Sequence, residues 1–144
     1  MTIAAIEDYF GYGVSMVIMI GVPAAGIIVS IAAMQRRGLN RWAGFASCLF
    51  FANLLLQGTV LNLAALEALS QRVTFWLLAG TLILNFVGGL LSLYALWLIR
   101  RKHRWPRGRR RAITMFWLNV FSLGVGSVAF YLRINLKLME RIFG

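Results

Sequence analysis

The sequence has few acids, one histidine and one cysteine, and this scarcity excludes several kinds of chemistry. Its 144 residues include four Asp and Glu, with His103 as the only histidine and Cys48 as the only cysteine. A zinc site, a catalytic triad or a carboxylate pair each need several such side chains in one place. One cysteine cannot form a disulfide within the chain. We therefore expect no catalytic residue, no metal ligand, no cofactor and no enzymatic activity.

Charge is also absent from long stretches of the chain, and this absence indicates the fold class. Charged residues make up 13% of the sequence and hydrophobic residues 60%, whereas soluble domains are roughly a quarter charged. Crossing a bilayer takes about 20 apolar residues. Four charge-free runs are long enough: residues 12–34, 42–66, 73–99 and 112–132. We predict an all-α membrane protein, an antiparallel four-helix transmembrane bundle that forms a single integral membrane domain over residues 1–144.

The last twelve residues continue the fourth run with a two-sided pattern. Charged residues fall on one helical side and apolar residues on another: Arg133, Lys137, Glu140 and Arg141 against Ile134, Leu138 and Ile142. A helix with such sides is typical of segments that lie in, or rise from, the membrane interface. We predict a C-terminal amphipathic extension.

Basic residues are concentrated in the segment Arg100–Arg111, called here the basic segment, which holds eight of the fifteen Lys and Arg and no acid. Cytoplasmic loops of membrane proteins are enriched in Lys and Arg. We therefore predict that the basic segment and the turn at residues 35–41, which has three arginines, are cytoplasmic. Both termini are then outside. We expect a multi-pass protein of the bacterial inner membrane.

The basic segment has two interpretations. Its cations attract anionic lipids, with about 1 kcal/mol per basic residue near the surface. Alternatively, they bind an acidic cytoplasmic partner. Nucleic acid is the weaker choice, because Trp105 is the only aromatic residue in the segment on which a base can stack. The predicted contact residues are Arg100, Arg101, Lys102, Arg104, Trp105, Arg107, Arg109, Arg110 and Arg111.

Neutral polar and small residues are the other candidates for a site. They either form hydrogen bonds and close contacts between helices, or line a path through an oligomer. The candidates are Asn53, Gln57, Asn62, Asn85, Asn119, Gly26, Ser30, Gly88 and Ser92. Because the second run has polar residues on two of its sides, we expect its helix to lie centrally in the bundle.

The expected absence of catalytic residues and metal ligands limits the functional hypotheses to non-catalytic roles. The leading one is a non-catalytic integral membrane subunit that packs within, or helps to assemble, a larger inner-membrane complex. Its partners would be anionic lipids and other membrane subunits or copies of itself. One alternative is a homo-oligomeric channel or small transporter that uses the neutral polar residues. Another is a membrane anchor that recruits a cytoplasmic partner through the basic segment.

Overall fold

Helices account for nearly all of the chain that this computed structural model describes, which is residues 3–36, 40–66, 68–102 and 108–143. In chain order they are α1 (Ile3–Met16), a π-helical turn (Val17–Gly21), α2 (Val22–Met34), α3 (Arg41–Ala65), α4 (Gln71–Lys102) and α5 (Arg109–Phe143). The first three form one continuous rod, called here the N-terminal helix. These described ranges contain no strand, so the predicted all-α class is confirmed.

Four helices are long and apolar enough to cross a membrane, as predicted. The candidate spans are Phe10–Met34, Arg41–Leu63, Gln71–Arg101 and Arg109–Leu136. The helices continue past the charge-free runs into charged residues. With 32 and 35 residues, α4 and α5 are about 48 and 52 Å long at 1.5 Å per residue. Since a hydrocarbon core is about 30 Å thick, their charged ends extend beyond it.

Pro23 interrupts the regular hydrogen bonding of the N-terminal helix. Proline has no backbone N–H, so the carbonyl of Met19, four residues earlier, loses its helical partner. The π-helical turn Val17–Gly21 lies at this point. The Met19 carbonyl faces α3, where a Cβ added to Gly58 would lie 3.0 Å from its oxygen. The glycine thus lets the two backbones approach closely.

α3 is the central helix, as its polar residues predict. It contacts the N-terminal helix, α4 and α5, and α4 also contacts α5. α3, α4 and α5 therefore form a three-helix core. At the end of this core near the basic segment, Ala43, Ala95 and Ala112 pack together with no exposed surface. We call them the alanine layer. A second buried cluster around Phe50 lies next to it.

Consecutive helices run antiparallel. Asn85 of α4 bonds to Ser122 of α5, whereas Gly88, further along α4, lies against Asn119, earlier in α5. The same reversed order of contacts relates the N-terminal helix to α3 and α3 to α4.

The four helices do not close into a ring of four. Among the described residues, the N-terminal helix contacts α3 alone, and its first part, α1, contacts only the π-helical turn that follows. The buried residues of α2 are Pro23, Ser30 and Ala33. The bundle is therefore a three-helix core with a fourth helix attached to one side of α3.

The residues just before the helices of the three-helix core are two polar capping residues and one glycine. Asn40 is fully buried, and its Oδ1 accepts a hydrogen bond from the Trp42 N–H at 3.0 Å, which caps α3. Its Nδ2 donates to the Ala95 carbonyl of α4 at 3.1 Å. Ser70 accepts a bond from an N–H in the first turn of α4 at 3.3 Å. Gly108 precedes α5 with φ 110°, a conformation that favours glycine.

The predicted C-terminal extension is the last part of α5, which runs without interruption to Phe143. Of its described side chains, Arg133 is half-buried, and Ile134 and Glu140 are exposed. The side chains of residues 137–139 and 141–143 lie outside the described part of the chain, as does Gly144.

Candidate functional site

Three asparagines, one from each helix of the three-helix core, lie inside it. Asn53 of α3, Asn85 of α4 and Asn119 of α5 are each 1% exposed. We call them the asparagine core. Burying an amide costs free energy unless it is hydrogen-bonded. Burial of these three amides is therefore unfavourable wherever their atoms lack a hydrogen-bond partner.

The asparagine core occupies one level of the bundle. Counted from the alanine layer, Asn53 and Asn85 are each ten residues away on their helices, and Asn119 is seven. At 1.5 Å per residue, these separations correspond to about 15, 15 and 10 Å. The contact of Asn119 with Gly88 and the bond from Asn85 to Ser122 join α4 and α5 at this level.

Among the described residues, four of the six side-chain polar atoms in the asparagine core have no hydrogen-bond partner. Asn85 Nδ2 donates to Ser122 Oγ at 3.0 Å, and Asn119 Nδ2 donates to the Met115 carbonyl of its own helix at 2.7 Å. The Oδ1 atoms of Asn85 and Asn119 and both amide atoms of Asn53 have no hydrogen-bond partner among the described residues. Each such buried group costs about 1–3 kcal/mol.

The other two predicted amides lie elsewhere. Gln57, one turn after Asn53, is half-buried and lines a cavity. Asn62 donates from Nδ2 to the Gly58 carbonyl at 2.7 Å, and the same atom is 3.7 Å from the Met19 sulfur. Asn62 therefore faces the N-terminal helix rather than the three-helix core.

The small residues of the N-terminal helix contact α3. A Cβ added to Gly26 would overlap the ring of Phe51, so the ring packs on the glycine backbone. The hydroxyl of Ser30 donates to the Gly26 carbonyl at 2.7 Å and lies 2.7 Å from Ser47 Oγ. The predicted contact residues Gly26 and Ser30 therefore pack against α3 of the same chain.

The small residues of α4 adjoin the asparagine core. A Cβ on Gly88 would lie 2.6 Å from Asn119 Oδ1, so the amide rests on the glycine. Ser92 is fully buried and donates to the Gly88 carbonyl at 3.0 Å. Asn85 and Asn119 also line a small cavity of about 150 Å³ between α4 and α5.

A larger cavity of about 650 Å³ lies beside the asparagine core, between α3, α4 and α5. We call it the α3–α5 cavity. Its lining is mostly Leu, Phe, Val and Ala, with Gln57, Thr81, Ser122 and Arg133 as the polar members. Because Ser122 also accepts the hydrogen bond from Asn85, it connects the cavity lining to the asparagine core. Small-molecule sites typically measure about 300–1,000 Å³ and are mainly apolar.

The α3–α5 cavity is open at the side. Leu61 on α3 and Phe121, Val125 and Ala129 on α5 line it and are exposed. The N-terminal helix makes no contact with α5 among the described residues. The opening therefore faces the surroundings of the bundle, which in a membrane are lipid chains.

The described part of the basic segment is largely solvent-accessible. Arg100, Arg101, Arg109 and Arg110 are exposed. Arg111 is half-buried, and its Nη1 is buried with no hydrogen-bond partner among the described residues. The Lys102 side chain and the whole of Arg104, Trp105 and Arg107 lie outside the described residues.

Sequence reasoning missed two features of this region. Asn40 lies in the turn predicted at residues 35–41 and is not among the predicted site residues, yet it caps α3 and binds α4; the preference of asparagine for N-caps is the signal that identifies it. Arg133 is predicted as part of an interfacial surface, yet it lines the α3–α5 cavity. No sequence signal indicates that cavity, because it depends on the spacing of three helices.

Comparison with known protein families, curated proteins and solved structures finds no match for this chain. Within the described residues, no three His, Cys, Asp or Glu side chains are grouped as metal ligands would be.

Proposed function

We propose that the chain is a non-catalytic integral membrane subunit that packs within a larger inner-membrane complex. The observation that carries the proposal is the isolation of α1. This helix has 14 residues and, among the described residues, contacts only the π-helical turn that follows it. Membrane helices associate through close packing and hydrogen bonds. A helix with no such neighbour among the described residues is available to helices of another subunit.

The exposed surface of α1 supports a close contact of this kind. Gly11, Gly13 and Ser15 are exposed, and no atom lies within 4 Å of a Cβ built on either glycine. Gly11 and Ser15 have the small-xxx-small spacing that lets two membrane helices approach. An apolar transmembrane helix of another subunit fits this surface.

The position of the asparagines supports a subunit over a channel lined by amides. A path between the subunits of an oligomer needs polar groups on the outer faces of each chain. Asn53, Asn85 and Asn119 are instead each 1% exposed. Buried in this way, they are not available on an outer face of the chain.

A pair of glycine variants tests the proposal. Gly11→Leu adds bulk to the exposed face of α1, and Gly124→Leu adds the same bulk to α5, where the space around the glycine is equally empty. The tagged full-length chain is extracted with native lipid and its stoichiometry is measured by mass analysis. We expect foreign membrane subunits in fixed ratio with the unchanged chain and with Gly124→Leu, and their loss with Gly11→Leu.

Two outcomes would contradict the proposal. The unchanged chain could be recovered as a monomer or as a pure homo-oligomer; the latter would support the channel or transporter. Alternatively, Gly11→Leu could keep its foreign subunits while Gly124→Leu loses them. The contact with the partner would then lie on α5 and not on α1.

We also propose that the loops at residues 35–41 and in the basic segment are cytoplasmic and that both termini are outside, in the inner membrane of a bacterium. The exposed arginines at the facing ends of α4 and α5 support this orientation. In a Cys48→Ser background, Arg110→Cys should resist a membrane-impermeant thiol reagent in intact cells, and Glu140→Cys should react. The reverse pattern would invert the topology. Exposed arginines on the cytoplasmic side would also be available to anionic lipids or an acidic partner protein.

A further inference from the structure

The α3–α5 cavity is long and narrow. On α5 its lining residues extend from Leu118 to Arg133, which corresponds to about 22 Å along the axis. A volume of about 650 Å³ over that length gives a mean cross-section of about 30 Å². A helix with its side chains has a diameter of about 10–12 Å and a cross-section of roughly 80–110 Å². The cavity is therefore narrower on average than a helix, and a single extended hydrocarbon chain fits it better.

The charge in the cavity lies at one end. Among the described lining residues, Arg133 is the only charged one, and it directly follows the charge-free run that ends at Leu132. That run begins at Ala112, so its length is about 31 Å, close to the roughly 30 Å of a hydrocarbon core. The guanidinium is thus placed at the membrane boundary, where lipid phosphates lie.

We propose that the α3–α5 cavity binds one acyl chain of an anionic phospholipid, with the lipid phosphate held by Arg133. The acyl chain enters from the bilayer through the side opening at Phe121, Val125 and Ala129. A planar guanidinium binds phosphate through paired hydrogen bonds. Gln57 and Ser122 lie deeper in the lining, beside the acyl chain. This lipid site is independent of the assembly proposed above.

Native mass spectrometry of the purified full-length chain tests the proposal. The protein in mild detergent is mixed with equal amounts of phosphatidylglycerol and phosphatidylcholine that have the same acyl chains. We expect one lipid that survives gentle activation, with phosphatidylglycerol preferred. Arg133→Gln should lower the ratio of bound phosphatidylglycerol to phosphatidylcholine about fivefold, the change that corresponds to roughly 1 kcal/mol for one basic residue. Arg133→Lys should retain most of the preference.

Matched variants separate this site from other lipid contacts. Ala129→Trp fills the cavity and should remove the tightly held lipid, whereas Val128→Trp, on the exposed face outside the lining, should keep it. Arg110→Gln, at the other end of α5, should leave the phosphatidylglycerol ratio of the retained lipid unchanged. Arg133→Gln changes only the rim, so it stays informative if Ala129→Trp does not fold.

Three results would overturn the proposal. The unchanged chain could retain no lipid. It could retain both lipids equally, with no effect of Arg133→Gln. Or Ala129→Trp, folded by its circular dichroism, could hold as much lipid as the unchanged chain. The Gly11→Leu experiment measures partner subunits, and the experiments here measure bound lipid. Failure of the lipid site and failure of the assembly are therefore distinguishable.

Discussion

Replacing Asn53 with alanine is expected to stabilise the protein, although the residue is buried at the centre of the bundle. Both amide atoms of Asn53 lack a hydrogen-bond partner among the described residues. Removing each unpaired atom from the core should raise the free energy of unfolding by about 1–3 kcal/mol. This gain is opposed by the cost of the cavity that remains when three side-chain heavy atoms are removed. Leu→Ala changes in a protein core cost about 2.7–5.0 kcal/mol, and about 2.4 kcal/mol of that is the transfer of three methylene-sized groups.

The remaining cavity cost for Asn53→Ala is therefore about 0.3–2.6 kcal/mol. With both amide atoms relieved, the net expectation is a gain of about 2 kcal/mol. Asn119→Ala is the matched control, because it leaves the same hole at the same level. It relieves one unpartnered atom and loses the bond to the Met115 carbonyl. Since the cavity terms cancel, Asn53→Ala should be more stable than Asn119→Ala by about 3 kcal/mol.

The assay is unfolding of the full-length chain in mixed micelles of a mild and a denaturing detergent, followed by circular dichroism. The free energies of unfolding of the two variants are compared with that of the unchanged protein under the same conditions. If Asn53→Ala is less stable than the unchanged protein and no more stable than Asn119→Ala, the reasoning is wrong. The amide of Asn53 would then be engaged in the folded state.

Four further substitutions follow from the geometry, one of them a control. Gly88→Leu should lower Tm, because its side chain must displace Asn119, and Asn119→Ala should restore part of the loss in the double variant. Gly80→Leu, where the surrounding space is empty, should be neutral or stabilising. Asn40→Ala should destabilise by about 1–2 kcal/mol through loss of the cap, measured in the same micelles. Gly108→Ala should cost about 1 kcal/mol, because φ there is 110°, with Tm as the readout.

Charge-free runs predict the helices well and their ends poorly. All four predicted runs correspond to candidate spans, because membrane insertion depends on total apolarity over about 20 residues. The starts of α3, α4 and α5 depend instead on local caps. Asn40, Ser70 and Gly108 each act through one or two backbone contacts, which a hydropathy pattern does not contain. The π-helical turn is a local response to Pro23 of the same kind.

The candidate site was accessible to sequence reasoning only in part. The five predicted amides include the three of the asparagine core, but helical spacing groups Asn53 with Gln57. The structure separates them, because Asn53 is 1% exposed whereas Gln57 lines the α3–α5 cavity. Burial at this level depends on how α4 and α5 pack on α3. That packing is a property of three helices together, so no single run predicts it.

The two ends of the three-helix core differ in packing, and the sizes of their side chains explain why. Near the basic segment, the alanine layer has no exposed surface, since small residues let helices approach closely. Towards the other end, Leu and Phe side chains make up much of the lining of the α3–α5 cavity, and large side chains keep helices further apart than alanines do. The asparagine core lies between these regions. One end of the core therefore holds the helices together, while the other leaves an apolar space that ends at Arg133.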